Sequence, residues 1–314
     1  MIRNIAYKDK EEWLSIRKNY IGGSEAGALI GLNEHETPYT LWAKKTGRIP
    51  EFAGNVTTRV GAYLEELVGK MFSEETGKHV RKKNRIIVND AYPFACADVD
   101  RIVVGEPALL EIKTTNSIPV MRKTKAGEYP NTWYCQMTHY LAVTGLERAY
   151  LAVLVGGREF LTFTLERDQA EIDALMEAEE KFWKLVEDDT PPGMDGSLLT
   201  SSAIREVYED VETGDVIDLP DREMLLLEYR RLLAVRSENE KRIRQIKQIL
   251  MQDLGGAEEG RCGNFRVGWK PQKRAFLSAE KLRKVYPNLD LSKVMSVAKY
   301  RRFSVQEESG NATD

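Results

Sequence analysis

Apolar and polar positions repeat with two different periods along this chain, and the places where one period gives way to the other mark out its elements. The stretch EEWLSIRKNYIGGSEAGALIG reads as a short helix, a Gly-Gly turn and a second helix beginning near Ser24. Ser24 is suited to N-capping, with Glu25 in the first turn. In TTRVGAYLEELVGKMFSEETG, Val60, Leu64, Leu67, Val68 and Met71 fall at helical spacing and Gly77 supplies the stop. The period then shortens: RIIVND is a strand, and DVDRIVV and LLEIKTT are two more, joined by the turn Gly105-Glu106-Pro107. After a loop around Lys123–Pro130, WYCQMTHYLAVTG returns to helix. AYLAVLVGG and EFLTFTL form a further hairpin, and AEIDALMEAEEKFWKLVE is an amphipathic helix.

Asp188-Asp189-Thr190-Pro191-Pro192-Gly193 breaks this pattern and predicts a domain boundary. Beyond it lies an acidic segment with Glu206, Glu209, Asp210, Glu212, Asp215 and Asp218. A helix from about Glu223 to Leu254 follows, roughly 45 Å long at 1.5 Å per residue. Leu225, Tyr229, Leu232, Ile243, Ile246 and Leu250 keep a 3–4 spacing that Arg236 and Asn239 interrupt. A coiled-coil arm, half of a helical hairpin and packing on its own domain all fit that pattern. The expected division is a core over 1–190, an acidic linker over 191–222, the long helix and a basic extension over 223–306, and a disordered tail over 307–314.

Chemistry concentrates in one of the predicted hairpins. Its loop sets Asp100 within a residue or two of directly opposite Glu111, and residues two apart on a strand share a face, so Glu111 and Lys113 project together. Two carboxylates and an ammonium would converge there. Oxygen ligands of this kind suit a hard cation such as Mg²⁺, and a nearby ammonium can orient a water or stabilise a phosphate oxyanion. Glu and Lys two apart are also ordinary on an exposed strand. Here, however, Leu109, Leu110, Ile112, Ala95, Cys96, Ala97 and Val99 surround the charges with apolar sequence, where a charge needs a reason to stand.

Composition narrows the class. The chain has 314 residues, 42% hydrophobic and 30% charged, as soluble globular proteins do. It has no apolar run long enough to span a bilayer, and MIRNIAYKDKEEW carries no apolar signal core, so a cytoplasmic setting is expected. Cys96, Cys135 and Cys262 are odd in number and far apart, which argues against a disulfide framework and cannot supply the four thiolates of an iron–sulfur cluster. Net charge is −3, so any nucleic-acid surface must be local. Between Glu259 and Phe303, 12 Lys and Arg stand against 3 Asp and Glu, interleaved with Phe265, Trp269, Phe276, Tyr286, Tyr300 and Phe303. That segregation suits contact with DNA; an acidic protein partner or a solvated face would also use it. His35, His79 and His139 show no pairing suggestive of a zinc site.

The order of these motifs resembles the PD-(D/E)xK nuclease core and, more narrowly, the YqaJ/lambda-exonuclease family of phage recombination nucleases, over roughly Trp13 to Val186. The matching residues are Trp13-x-x-x-Arg17 followed by Ser24-Glu25-Ala26, then Gly61-x-x-x-Glu65, RIIVND, FACADVD, LLEIKTT, and Gln136 in CQMTHYLAVTG. FRVGWKPQ and YRRFSV look like the extended tails of the YqaJ branch, whereas Ala97 stands where lambda-type members carry a serine that helps hold phosphate.

The resemblance implies an α/β fold: a restriction-endonuclease-like core with a mixed central sheet flanked by helices, extended by the long helix and basic segment. It implies that Asp100, Glu111, the Ile112 carbonyl and Glu65 hold Mg²⁺, for which Mn²⁺ would substitute. Lys113 would stand beside the attacking water, with Gln136 near the scissile strand. Arg17 and Ser24 would grip a 5′-phosphate, a role that a guanidinium fork and a helix N-terminus are physically fitted for. Asp90 matches a family aspartate, though an Asn-Asp turn explains it equally well. Taken on their own residues, Gln136 and Glu65 are ordinary helix positions, Ser24 a cap and Arg17 a surface side chain.

The implied activity is 5′-to-3′ digestion of double-stranded DNA ends, leaving 3′ single strands for recombination. A single-strand annealing recombinase would be the partner, the assembly a ring-shaped homo-oligomer (a trimer by lambda-type precedent), and the origin a phage or prophage in a bacterial host. A nuclease of the same fold with other polarity or internal cutting, and an inactive DNA-binding scaffold, are the competing readings.

Overall fold

The computed structural model describes residues 1–52, 54–209, 211, 214–275, 277–287 and 300–306. These form two units, Met1–Tyr208 and Glu209–Asp314. In the first, β1 (Ile2–Ile5), α1 (Lys10–Arg17), β2 (Ile21–Gly22), α2 (Gly23–Leu29), α3 (Pro38–Lys45) and α4 (Val56–Thr76) precede the strands that carry the acidic residues. Next come β3 (Val80–Arg81), β4 (Ile86–Asn89), β5 (Tyr92–Ala97), β6 (Arg101–Val103) and β7 (Ala108–Thr115). The unit closes with α5 (Ile118–Lys125), α6 (Asn131–Thr144), β8 (Arg148–Val155), β9 (Glu159–Glu166), α7 (Gln169–Glu187) and α8 (Leu198–Val207).

The strands form two mixed sheets: a five-stranded one in the order β3-β6-β7-β8-β9 and a four-stranded one in the order β1-β4-β5-β2. Among the described residues, β7 with β8 and β2 with β5 run parallel, and the other pairs are antiparallel. Both faces of the larger sheet are covered, which is why β7 and β8 read as nearly continuous apolar runs. On one face, Leu109, Leu151 and Val153 pack with Met137 and Leu141 of α6 and Ile172 of α7. On the other, Leu110, Ile112 and Ala152 pack against Val68 and Phe72 of α4. Full burial of a side chain like Phe72 is worth about 1.5–3 kcal/mol, so α4 is anchored chiefly through its second half.

The mixed α/β architecture flanked by helices follows the expectation, and Gly77 caps α4 with φ 71°, as its position predicted. Several details differ. The buried stripe of α4 is Val68, Gly69 and Phe72, while Val60 and Leu67 face outward. The segment expected as a loop around Lys123–Pro130 begins inside α5, whose N-terminal Pro119 presets the backbone for a helix. Helix α2 is capped by Gly22 rather than Ser24, because Glu25 reaches back to the Gly22 N–H at 2.7 Å and Ser24 lies within the first turn. The boundary expected after 190 falls instead at Tyr208. Helix α8 belongs to the first unit: Ala203 is buried, and the Thr200 and Thr37 hydroxyls bond at 2.8 Å.

The second unit contains α9 (Glu223–Leu254), the hairpin of β10 (Glu259–Cys262) and β11 (Phe265–Gly268), and α10 (Ala279–Val285). Helix α9 keeps the expected bounds and buries none of its residues. Its Tyr229 ring meets Phe303 edge-on at 6.0 Å. The tail over 307–314, and part of the basic segment between Glu259 and Phe303, lie outside the described residues.

Candidate functional site

Register sets the acidic pair. Arg101 pairs with Leu110 across β6 and β7, which places Asp100, one residue before β6, opposite Glu111. The Asp100 Oδ2 accepts the Ile112 N–H at 2.7 Å and so closes the hairpin end. Glu111 is 2% exposed. Its Oε1 accepts from Lys113 Nζ at 2.7 Å and from Gln136 Nε2 at 2.8 Å, while Lys113 Nζ also donates to Gln136 Oε1 at 2.8 Å. Gln136 thereby locks carboxylate and ammonium to each other, and its Nε2 donates as well to the buried Tyr140 hydroxyl at 3.0 Å.

The electrostatics of this pair are unbalanced. Burial pushes the Asp100 carboxyl well above its ordinary range and the adjacent Glu111 charge adds to the effect, against the pull of Lys113. Burial likewise raises Glu111, with Lys113 opposing. Glu111 Oε2 is buried and accepts no hydrogen bond. One ammonium therefore serves two carboxylates, and a buried lone pair of Glu111 is left over. Two carboxylates, one with an orphaned oxygen, and the Ile112 carbonyl make a donor set that fits a hard divalent cation.

Glu65 does not join them here. It is ion-paired with the buried Arg101, which also donates to the Asp100 carbonyl at 2.7 Å and reaches Glu66 at 3.2 Å. Among the described residues, no three His, Cys, Asp or Glu side chains come together as a metal-holding group. Asp90 is elsewhere. It sits in the turn after β4, where it pairs with the N-terminal amine at 3.3 Å and with Arg3 at 2.9 Å, tying down β1. His139 is fully buried in the core, with Nδ1 at 2.8 Å from Glu179 and Nε2 donating to the Cys96 carbonyl at 2.9 Å. Ala97 is also fully buried.

Arg17 and Ser24 come together as expected, with the guanidinium Nη2 3.1 Å from Ser24 Oγ. Arg17 stacks over the Trp13 ring at 4.8 Å, and the Trp13 indole N–H donates to Asp98 Oδ2 at 2.6 Å. Beneath them Glu25 is fixed by Lys45, itself buried, at 2.8 Å and by Arg17 at 3.5 Å. Burial alone would push Glu25 up, yet Lys45, Arg17 and the Gly22 N–H together hold it below the ordinary carboxylate range. Lys45 spends its ammonium on Glu25 and on the Arg17 and Tyr20 carbonyls, so it is the Arg17 guanidinium that this corner can offer to a ligand.

A cleft of about 800 Å³ opens over this corner, lined by Trp13, Arg17, Lys18, Ser24, Lys44 and Lys45 among others. A smaller cavity of about 100 Å³ joins Trp13, Arg17, Ser24 and Asp98 to Gln136 and Tyr140, and Gln136 is in turn the partner of Glu111. Its wall requires glycine: a Cβ on Gly23 would lie 2.4 Å from the Tyr140 ring. Asp98, Lys45, Arg101 and Tyr140 were not singled out in the sequence, where nothing local marks partners that are 85 residues apart, as Trp13 and Asp98 are.

A mixed sheet with an acidic hairpin end, a lysine two residues on and a glutamine helix beside it is the arrangement of the PD-(D/E)xK class. The YqaJ-like viral recombinase domain matches residues 12–147. The uncharacterized protein YqaJ of Bacillus subtilis (strain 168) is 35% identical over 306 residues, covering 96% of this chain and 95% of its own length. The chain belongs to the YqaJ family. Its fold is similar to that of an alkaline exonuclease from Laribacter hongkongensis, 20% identical, with a TM-score of 0.51 over 57% of this chain and 94% of that one. The same enzyme in complex with dAMP gives 22% identity and a TM-score of 0.51 over the same shares of each chain.

Proposed function

We propose that the chain is a Mg²⁺-dependent exonuclease that digests double-stranded DNA from its 5′ ends and leaves 3′ single strands for recombination. The observation that carries this reading is the convergence of Asp100, Glu111 and Lys113, locked by Gln136, with one Glu111 oxygen buried and unpartnered. Family membership and the likeness to an alkaline exonuclease support it.

Asp100, Glu111 and the Ile112 carbonyl would hold the cation, with Glu65 turning from Arg101 to join them. A divalent ion bound there would lower the pKa of a water and neutralise charge on the phosphoryl oxygens. Lys113 holds its ammonium beside Glu111, where it can donate to the attacking water or to a non-bridging phosphate oxygen. Gln136 keeps both partners in register, so neither must reorganise during the reaction. Water attacks phosphorus as the bond to the 3′-oxygen breaks; the leaving alkoxide takes a proton, and the shortened strand retains a 5′-phosphate. Arg17 and Ser24 stand one small cavity away, where they can grip that terminal phosphate and set the polarity.

The single-strand annealing partner, the ring-shaped homo-oligomer and the cytoplasmic, phage-type setting belong to the same proposal. No helix among the described residues is long and apolar enough to cross a membrane. The test is digestion of linear duplex with and without a 5′-phosphate, in Mg²⁺ or in EDTA, with closed-circular duplex alongside. Release of 5′-mononucleotides from linear DNA in Mg²⁺ alone, faster with a 5′-phosphate, is expected. Cutting of the closed circle, or no hydrolysis in either metal condition, would refute the reading.

A further inference from the structure

One charged surface lies outside both the acidic pair and the Arg17 corner. Residues 81–85 read Arg81-Lys82-Lys83-Asn84-Arg85, four cations in five positions from the last residue of β3 to the start of β4. Strand β3 is the edge of the five-stranded sheet, with Arg81 opposite Ile102, and Ile102 in turn opposite Leu109. Cross-strand partners share a face, as do residues two apart on one strand. Arg81 therefore projects from the face that carries Asp100, Glu111 and Lys113.

The run is fixed at both ends. Val80 packs on the cluster beneath α4, and Ile86 is fully buried. Between them the Arg85 N–H donates to the Lys83 carbonyl at 2.7 Å, which tightens the turn. The five residues and Asn4 of β1 line an open cleft of about 480 Å³. It shares no lining residue with the Arg17 cleft or with the small cavity beside Gln136.

Like charges this close repel, and carboxylates ordinarily relieve them. Here Lys82 reaches Glu66 at 3.6 Å, but among the described residues no acidic side chain forms an ion pair with Arg81, Lys83 or Arg85. Partial burial lowers the Lys83 ammonium, and its Arg81 and Arg85 neighbours lower it further. The cleft is built to receive negative charge from outside.

We propose that the 81–85 run is a second binding site for nucleic-acid backbone phosphates, which steadies the DNA on the flank of the catalytic face. The inference rests on the nuclease reading for the identity of its ligand. The lining selects that ligand: every residue is Arg, Lys or Asn, the side chains that contact phosphate, and none is apolar as the centre of a protein interface would require. Strand β3 stands two strands from β7, about 10 Å at ordinary spacing. The phosphates it meets therefore lie about three base steps from the scissile one, at 3.4 Å per step.

The test is equilibrium binding of a fluorescently labelled blunt duplex by the full chain in EDTA, across a range of salt concentrations. Wild type is compared with the Arg81→Gln/Lys83→Gln/Arg85→Gln variant, and hydrolysis of a dinucleotide too short to reach the run is followed in Mg²⁺. Affinity at low salt should fall at least tenfold in the variant. The slope of log K against log salt should shrink by about 2–3, at roughly 0.9 per lost phosphate contact, while dinucleotide hydrolysis stays within twofold. Should the triple variant melt early, Lys83→Gln/Arg85→Gln should give about two-thirds of the slope change, since each contact contributes roughly equally. An unchanged slope overturns the proposal. So does retained duplex affinity together with lost binding of a polyglutamate peptide, which would make the run a protein-docking surface. Binding in EDTA is independent of turnover, so an inactive wild type would count against the nuclease reading while leaving the slope readable.

Discussion

Glu111 and Glu25 are both buried glutamates paired with a lysine, and their surroundings drive them in opposite directions. Glu111 shares one ammonium with Asp100, keeps an oxygen without a partner and is pushed up. Glu25 has Lys45, Arg17 and a backbone N–H, and is held down. The first corner sets one ammonium against two carboxylates, whereas the second sets Lys45 and Arg17 against Glu25, with Asp98 also near Arg17. A site that is to take a cation must leave carboxylate unneutralised, and one that is to take a phosphate must leave guanidinium unneutralised. Gln136 stands between the two corners: it lines the small cavity beside Arg17 and donates to Glu111. An unpartnered oxygen alone does not make a metal site: Glu179 Oε2 has no partner either, but the other oxygen of that carboxylate is paired with His139 at 2.8 Å inside the core.

The sharpest way to break the comparison is to remove the deficit. Asp100→Ala or Glu111→Ala should lower duplex hydrolysis by more than about 10³-fold, the scale expected when charge developing on the reacting group loses its preorganised stabilisation. Binding of duplex to the folded variants should persist. Activity within tenfold of wild type for both would dismiss the acidic pair as the reaction centre. Lys113→Ala should be as severe for turnover, while metal binding measured by calorimetry is largely kept.

On the opposite corner the largest effect is on stability. Lys45→Met strands Glu25 with Arg17 at 3.5 Å as its remaining cation. Breaking a buried pair by removing one partner costs about 3–5 kcal/mol, which urea denaturation resolves easily. A loss under about 1 kcal/mol, the range of exposed pairs, would mean that Glu25 does not depend on Lys45 for its charge.

Smaller still is the effect of Arg17→Ala on end preference. Wild type should digest 5′-phosphorylated duplex faster than 5′-hydroxyl duplex, and the variant should bring that ratio toward one. An unchanged ratio would assign Arg17 to holding Trp13 and Glu25 alone.

What could be read from the chain beforehand follows from the range of the forces involved. Period-two alternation and a short loop are local, so the opposition of Asp100 and Glu111 was legible, as were Gly77 and both ends of α9. The same locality misled at Ser24, which looked like a cap until Glu25 bonded back to Gly22. Pairings across long separations left no local trace: Lys45 with Glu25, Arg101 with Glu65, and Thr37 with Thr200, which carried the first unit past its expected end. Asp90 matched a motif by position, yet its charge is spent on the N-terminal amine and Arg3. The basic run at 81–85 sat in plain sight, but only the β3–β6 register shows that its first member shares a face with the carboxylates.

The subtlest distinction between the corners is in pH. Glu25 is held below the ordinary carboxylate range, so the folded chain binds its proton less readily than the unfolded one. Stability rises with pH wherever the unfolded state binds more protons. The Glu25 contribution is therefore present above the unfolded glutamate value of about 4.3 and is lost as pH falls through the lower folded value. Glu25→Gln should flatten the acid limb of a stability–pH curve, measured by urea denaturation from neutral pH downward. The level of that curve will also drop, because Lys45 loses its anion; the slope, not the level, reports the titration. An acid limb as steep in the variant as in wild type would place the acid-labile charge on another carboxylate and remove Glu25 as the counterweight to Glu111.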